Sequence, residues 1–111
     1  MSTLRNKVQL IGNVGQEPTI VNLDSGKKLV RLSLATNEHF KNGKGEKQTD
    51  TNWHNLVAWG KTANFIEKFV TKGKEIAIEG KLTNRSFEDK DGEKRYVTEV
   101  VVNEILLLGS K

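Results

Sequence analysis

The chain has 111 residues, 35% of them hydrophobic and 29% charged, with ten glycines and one proline. At this length one hydrophobic core is expected, so residues 1–111 read as a single domain. No apolar run approaches the ~20 residues that span a bilayer, and the Arg5- and Lys7-bearing start has no apolar segment with a cleavage site, so neither a membrane span nor a signal peptide is expected. Cysteine is absent, which excludes disulfides, thiolate metal sites and cysteine nucleophiles. Two histidines, His39 and His54, leave little for a metal site, and neither a metal nor a cofactor is expected. Eighteen lysines and arginines against fourteen acids give a net charge of +4, which favours a polyanionic partner.

Residues 7–15, KVQLIGNVG, form the first apolar segment. Residues 28–40, KLVRLSLATNEHF, place Val30, Leu32 and Leu34 on one parity and Arg31, Ser33 and Ala35 on the other, the alternation of a half-buried strand. The polar, glycine-bearing stretch 41–50 reads as a long mobile loop. A third strand covers 52–60. In KTANFIEKFVTKG the period changes: Phe65, Ile66, Phe69 and Val70 share one helix face, with Thr62 as N-cap and Gly73 as the stop. Strand character returns over 75–87, an Asp91-Gly92 hairpin signal follows, and a last strand runs over 95–108. Three strands, a helix and two strands predict an all-β fold, a five-stranded OB-fold barrel with one helix between strands three and four. Gly12, Gly15 and Gly80 interrupt strand patterns where a small barrel has to curl.

Catalysis finds no support. Neither histidine has a serine or carboxylate at triad spacing, and Asp89, Asp91 and Glu93 surround a glycine turn with the wrong spacing for a calcium loop. The aromatics carry more. Phe65 and Phe69 belong to the helix face and read as core. Trp53 and Trp59 share a parity opposite to His54, Leu56 and Ala58, so they share a face that need not be the barrel interior; the alternative is that both are core tryptophans, which would crowd so small a core. Phe40 and Phe87 continue no apolar run. Phe40 stands beside Lys41, Lys44 and Lys47, and Phe87 near Arg85, a pairing suited to stacking an unpaired base and neutralising its phosphate. The further candidate phosphate contacts are Arg5, Lys7, Arg31, Lys61, Lys72, Lys74 and Lys81. Residues 39–51 hold three lysines against Glu46 and Asp50, net +1, whereas residues 85–95 balance four bases with four acids. Val100, Val101 and Val102 are consecutive, and Val8 and Leu10 stand opposite Ile11. Such two-sided apolar strands need a second cover, which a symmetric copy supplies, with Val8, Leu10 and Val101 as candidate contacts.

With these residues in place, the chain resembles the bacterial single-stranded DNA-binding proteins over nearly its whole length. The matching stretches are NKVQLIGNVGQEP, LSLATNE, WHNLVAWGK, FVTKG, IEGKL and RYVTEVVVNE, in that order. The resemblance implies an OB-fold that binds single-stranded DNA in replication, recombination and repair. It implies base stacking at Phe40, Trp53, Trp59 and Phe87. The family more often has tryptophan at the positions of Phe40 and Phe87 and phenylalanine at that of Trp59, and stacking survives because any aromatic offers a π face. His54 matches a family histidine near the subunit interface. A homotetramer in the bacterial cytoplasm, at the nucleoid, is implied as well. The family usually continues into a tail with an acidic tip that recruits other proteins. This sequence stops at Gly109, Ser110 and Lys111, so recruitment of replication proteins through such a tip is not expected.

The expected activity is therefore non-catalytic, sequence-tolerant binding and protection of single-stranded DNA. The alternatives are a primosomal accessory protein on the same fold, distinguished by oligomer mass, an RNA-binding OB module, distinguished by competition between DNA and RNA, and a nuclease, for which no carboxylate constellation speaks.

Overall fold

The computed structural model describes residues 3–109. Ser110 and Lys111, on which the expected end of the chain rests, lie outside the described residues. A 3-10 turn, Thr3–Asn6, leads into β1 (Val8–Val14), followed by β2 (Thr19–Asn22), β3 (Lys28–Lys41), β4 (Lys47–Trp59), α1 (Gly60–Phe69), β5 (Glu75–Glu88) and β6 (Lys94–Leu107). The strands lie in the order β1-β5-β6-β4-β3-β2. β1 also pairs with β3 at Asn13↔Ala35 and Val14↔Leu34, which closes five strands into a barrel. β4 meets β6 in parallel at Leu56↔Val100 and Val57↔Val101, and the other pairings are antiparallel. With α1 between the third and fourth barrel strands this is the expected OB-fold. The short β2, four residues on the outer edge of β3, is an addition that its weak pattern did not announce.

Three hairpins close with the same five-residue turn, over 23–27, 42–46 and 89–93. In each, the first residue's N–H donates to the fifth residue's carbonyl, and a glycine at the fourth position donates back to the first. Gly26, Gly45 and Gly92 adopt φ of 87°, 79° and 81°, a left-handed conformation that costs glycine nothing. The expected long loop over 41–50 is thus corrected to a turn of five residues. β3 and β4 stay paired out to Lys41↔Lys47. This ribbon projects past the barrel with both faces in solvent, so it carries no apolar alternation to read. Cross-strand bonds such as Thr51 Oγ1 to Asn37 Oδ1 (2.6 Å) stitch it instead.

The core holds Val14 from β1, Val30, Leu32 and Leu34 from β3, Leu56 and Ala58 from β4, Ile76 and Ile78 from β5, and Val100 and Val102 from β6. α1 contributes Ala63 and Ile66, with Val70 just beyond it. Period 2 on the strands and 3.6 on the helix deliver these residues to one dry interior. Three details of the helix differ from expectation. Thr62 lies inside the first turn, because Trp59 occupies the N-cap and Gly60, at φ 61°, turns the strand directly into the helix. Phe69 is 54% exposed and lies against Phe65, ring centroids 5.0 Å apart, because the barrel end accepts only the narrower Ala63–Ile66–Val70 stripe. The helix itself ends at Phe69, where Val70 N–H bonds the Ile66 carbonyl, and Gly73 serves the following turn at φ 88°. Among the glycines expected to bend the barrel, Gly80 marks a register shift next to Glu79, while Gly12 keeps regular pairing with Ile76. Among the described residues no helix is long and apolar enough to cross a membrane.

Candidate nucleic-acid interface

Register puts one set of outward residues on neighbouring strands. β3 contributes Arg31 and Ser33, paired with Val57 and Asn55 of β4, whose other outward residues are Trp53 and Trp59. β6 contributes Glu99 and Val101, and β5 sets Thr83 opposite Glu99 and Arg85 opposite Val97, with Phe87 two residues on. Trp53, Trp59 and Phe87 are 63%, 45% and 46% exposed, which excludes a core role. Between β3 and β5 lies an open groove of about 370 Å³, lined by Arg31, Ser33, Asn55, Arg85, Phe87 and Glu99 among others. The Arg85 guanidinium carbon stands 5.8 Å from the Phe87 ring centroid. Trp59 lines a separate cleft with Lys27 and Asn64.

Glu99 was not singled out by its sequence context, yet it organises this groove. Among the described residues it is the one charged residue that is buried. Its Oε2 accepts from Arg31 Nη1 (2.8 Å) and Arg85 Nη2 (3.2 Å), and its Oε1 from Arg85 Nε (3.1 Å). Burial pushes the Glu99 carboxyl up, but the hydrogen bonds and charges of Arg85 and then Arg31 outweigh it and hold the group below the ordinary glutamate range. The bond to Glu99 in turn raises Arg85 further. The signal in the sequence was a lone acid inside TEVVV. Its meaning needs the β5–β6 register, which the sequence does not state.

The remaining candidates separate. Lys41 and Lys47 face each other where the β3–β4 ribbon ends, with Lys44 in its turn. Phe40, 46% exposed, lies on this ribbon with the opposite parity to the tryptophans, beside a hollow of about 430 Å³ that it shares with Lys41, Lys47 and Gln48. Lys61 is the second residue of α1, two positions beyond Trp59. Lys81 pairs with Val101 on the outward parity of Arg85. Lys72 donates its backbone N–H to Glu17, at the groove's rim, whereas Lys74 is half-buried with its carbonyl bonded to Val14. Lys7 stands apart, 3.7 Å from Glu79 on the outward side of β1 and β5. Arg5 sits in the 3-10 turn, which Asn6 ties to the Leu82 backbone.

The expected subunit contacts are redistributed. Val8 and Leu10 turn inward and pack against the core, because the parity that buries Val14 also buries them. The outward residue of β1 is Ile11, 51% exposed and in register through Ala77 with Leu106, which is 62% exposed. Val101 is half-buried next to Val57, on the parity of the tryptophans. His54 is half-buried on the inner parity, its Nε2 2.9 Å from Thr36 Oγ1.

A closed five-stranded barrel whose outer face carries exposed aromatics interleaved with anchored guanidiniums defines an OB-fold protein with a nucleic-acid-type surface. A family model described as the single-strand binding protein family matches residues 5–108. The single-stranded DNA-binding protein 1 of Chlorobaculum tepidum is 44% identical over 107 residues, covering 96% of this chain and 66% of that protein. Single-stranded DNA-binding proteins of Xylella fastidiosa and Rickettsia felis are 41% and 42% identical, again over 96% of this chain and over 79% and 74% of theirs. Among solved structures, the Plasmodium falciparum SSB complex with ssDNA superimposes with a TM-score of 0.87 at 30% identity, covering 98% of this chain and 99% of that one. A deletion mutant of the single-stranded DNA binding protein from Thermus aquaticus gives 0.81 at 28% identity, over 96% of this chain and 51% of that one. The chain belongs to the single-strand binding protein family.

Proposed function

We propose that this protein binds single-stranded DNA without reading its sequence, protecting unpaired strands in replication, recombination and repair, and that it performs no chemistry on them. The observation that carries this is the exposure of Trp53, Trp59 and Phe87 on one outer face beside Arg31 and Arg85. Stacking one base on an aromatic is worth roughly 1–3 kcal/mol and accepts any base, so affinity arises without base readout. Phe40 and the lysines 41, 44 and 47 extend the path along the projecting ribbon. The names of the curated relatives and the bound strand of the Plasmodium structure support the same reading.

The protein works as a homotetramer in the bacterial cytoplasm, at the nucleoid. Exposed Ile11 and Leu106, in register through half-buried Ala77, support that assembly, since a second copy is the simplest cover for an apolar strip.

Titrating oligo-dT against intrinsic tryptophan fluorescence at increasing salt tests the reading. Quenching on binding is expected, with log affinity falling by about 0.7 per phosphate contact per decade of salt. Residual binding at high salt reports the stacking. A flat salt dependence rejects the cationic half of the mechanism, complete loss at modest salt rejects the stacking half, and preference for a matched RNA oligomer rejects DNA as the ligand.

A further inference from the structure

We propose that Glu99 is a positioning residue of the DNA-binding face, its buried carboxylate holding the Arg31 and Arg85 guanidiniums in advance as a two-pronged receptor for a backbone phosphate beside the Phe87 ring. This rests on the DNA-binding reading above. The two arginines come from β3 and β5, on either side of β4 and β6, and both converge on one carboxylate that is 7% exposed. Arg85, which lines the groove, is gripped through Nε and Nη2, which leaves Nη1 outside that contact. Arg31 is gripped through Nη1, which leaves Nε and Nη2. Each guanidinium therefore keeps donors in the groove while its plane is fixed from below.

Stability alone does not call for this carboxylate. A valine between Val97 and Val101 would extend the apolar strip without the cost of desolvating a charge. What Glu99 supplies is order. An unanchored arginine must be immobilised when the ligand arrives, which lowers affinity by about two- to tenfold per side chain. Against this, Glu99 cancels one of the two positive charges. A phosphate held by these arginines lies within the ~8 Å Debye length at about 0.15 M salt, so that lost attraction is only partly screened. The two effects therefore oppose each other. On this proposal ordering outweighs the lost charge, which the sign of the Glu99→Gln effect decides.

The test compares oligo-dT affinity and its salt slope. Glu99→Gln is expected to bind about five- to tenfold more weakly at about 0.15 M salt, with a slope as steep as that of the unmodified chain or steeper, because both cations still reach phosphate. Arg31→Ala and Arg85→Ala are each expected to lower the slope by about 0.7. In an Arg85→Ala background, Glu99→Gln is expected to cost clearly less than it does alone, the coupling that a purely structural role would not produce. Arg85→Lys, at an exposed position, keeps the charge but loses the fork and is expected to weaken binding at unchanged slope. If Glu99→Gln melts too early to assay, Glu99→Asp takes its place: it keeps the charge but shortens the reach to both guanidiniums, and weaker binding at an unchanged salt slope is expected. Unchanged affinity in the assayable variants, or a Glu99→Gln loss of equal size in the Arg85→Ala background, overturns the proposal. Failure of the unmodified chain to bind oligo-dT overturns the DNA-binding reading and this proposal with it.

Discussion

The backbone of Gly15 lies close against the six-membered ring of Trp53: a Cβ at Gly15 would stand 2.4 Å from Cζ3 of that ring and 2.9 Å from Ser33 Oγ. Trp53 is largely exposed, so a methyl at this position displaces the ring without opening the core. Gly15→Ala is therefore expected to weaken oligo-dT binding and to shift Trp53 emission, while the melting temperature changes little. An unaltered binding curve with a shifted emission would show that Trp53 orientation is irrelevant to the ligand.

Truncating the exposed aromatics separates site from core. Trp53→Ala, Trp59→Ala and Phe87→Ala are expected to cost about 1–3 kcal/mol of binding each and almost no stability. Phe40→Ala should cost least, because it stands out on the projecting ribbon and on the other parity. Ile66→Ala is the core control, expected to lose ~2–5 kcal/mol of stability with binding by the folded fraction unchanged. Phe69 cannot serve that purpose, being half in solvent. Thermal melts paired with fluorescence titrations read both quantities.

Glu99 ties stability to pH. Its folded carboxyl titrates below the ordinary glutamate range, so the stabilisation it brings is present above that ordinary value and disappears as pH falls through the lowered one. Asp89, lowered first by its bond to Arg95 and then by backbone N–H groups of its own turn, acts in the same direction. Melting temperature is thus expected to fall on acidification, and Glu99→Gln should flatten part of that fall. Identical pH profiles for the two proteins would contradict the assignment.

Gly80 tests the barrel's curl. A Cβ there would lie 2.1 Å from the Val101 carbonyl oxygen, a backbone atom with no freedom to step aside. Gly80→Ala is expected to cost about 1–3 kcal/mol or more, lowering the melting temperature by about 4–8 °C for each kcal/mol. A melt matching the unmodified chain would mean that the two strands separate here at little cost.

Assembly turns on the strip at Ile11. Ile11→Glu or Leu106→Glu buries a charge in the proposed contact and is expected to reduce the mass in light scattering from tetramer to dimer or monomer. Val8→Ala should instead lower stability, since that side chain packs inward. A tetramer that survives both charged variants places the contact elsewhere.

Local pattern was sufficient for the strands that build the barrel, for the helix and for the parity of the two tryptophans, because a period of 2 or 3.6 is a property of consecutive residues. The hairpin at Asp91-Gly92 was legible for the same reason. The β3–β4 ribbon was not, since a strand with solvent on both faces has no apolar alternation and its existence depends on a partner strand. The inward turn of Val8 and Leu10 needed the closure of β1 onto β3 and β5. Glu99 shows the division most clearly. Its neighbours in the chain are valines and a threonine, and nothing local marks it. Arg31 lies 68 positions away and Arg85 lies 14 away. Only the folding of three strands onto one face brings their opposite charges within hydrogen-bond reach, because electrostatics acts through space and the sequence records only the order along the chain.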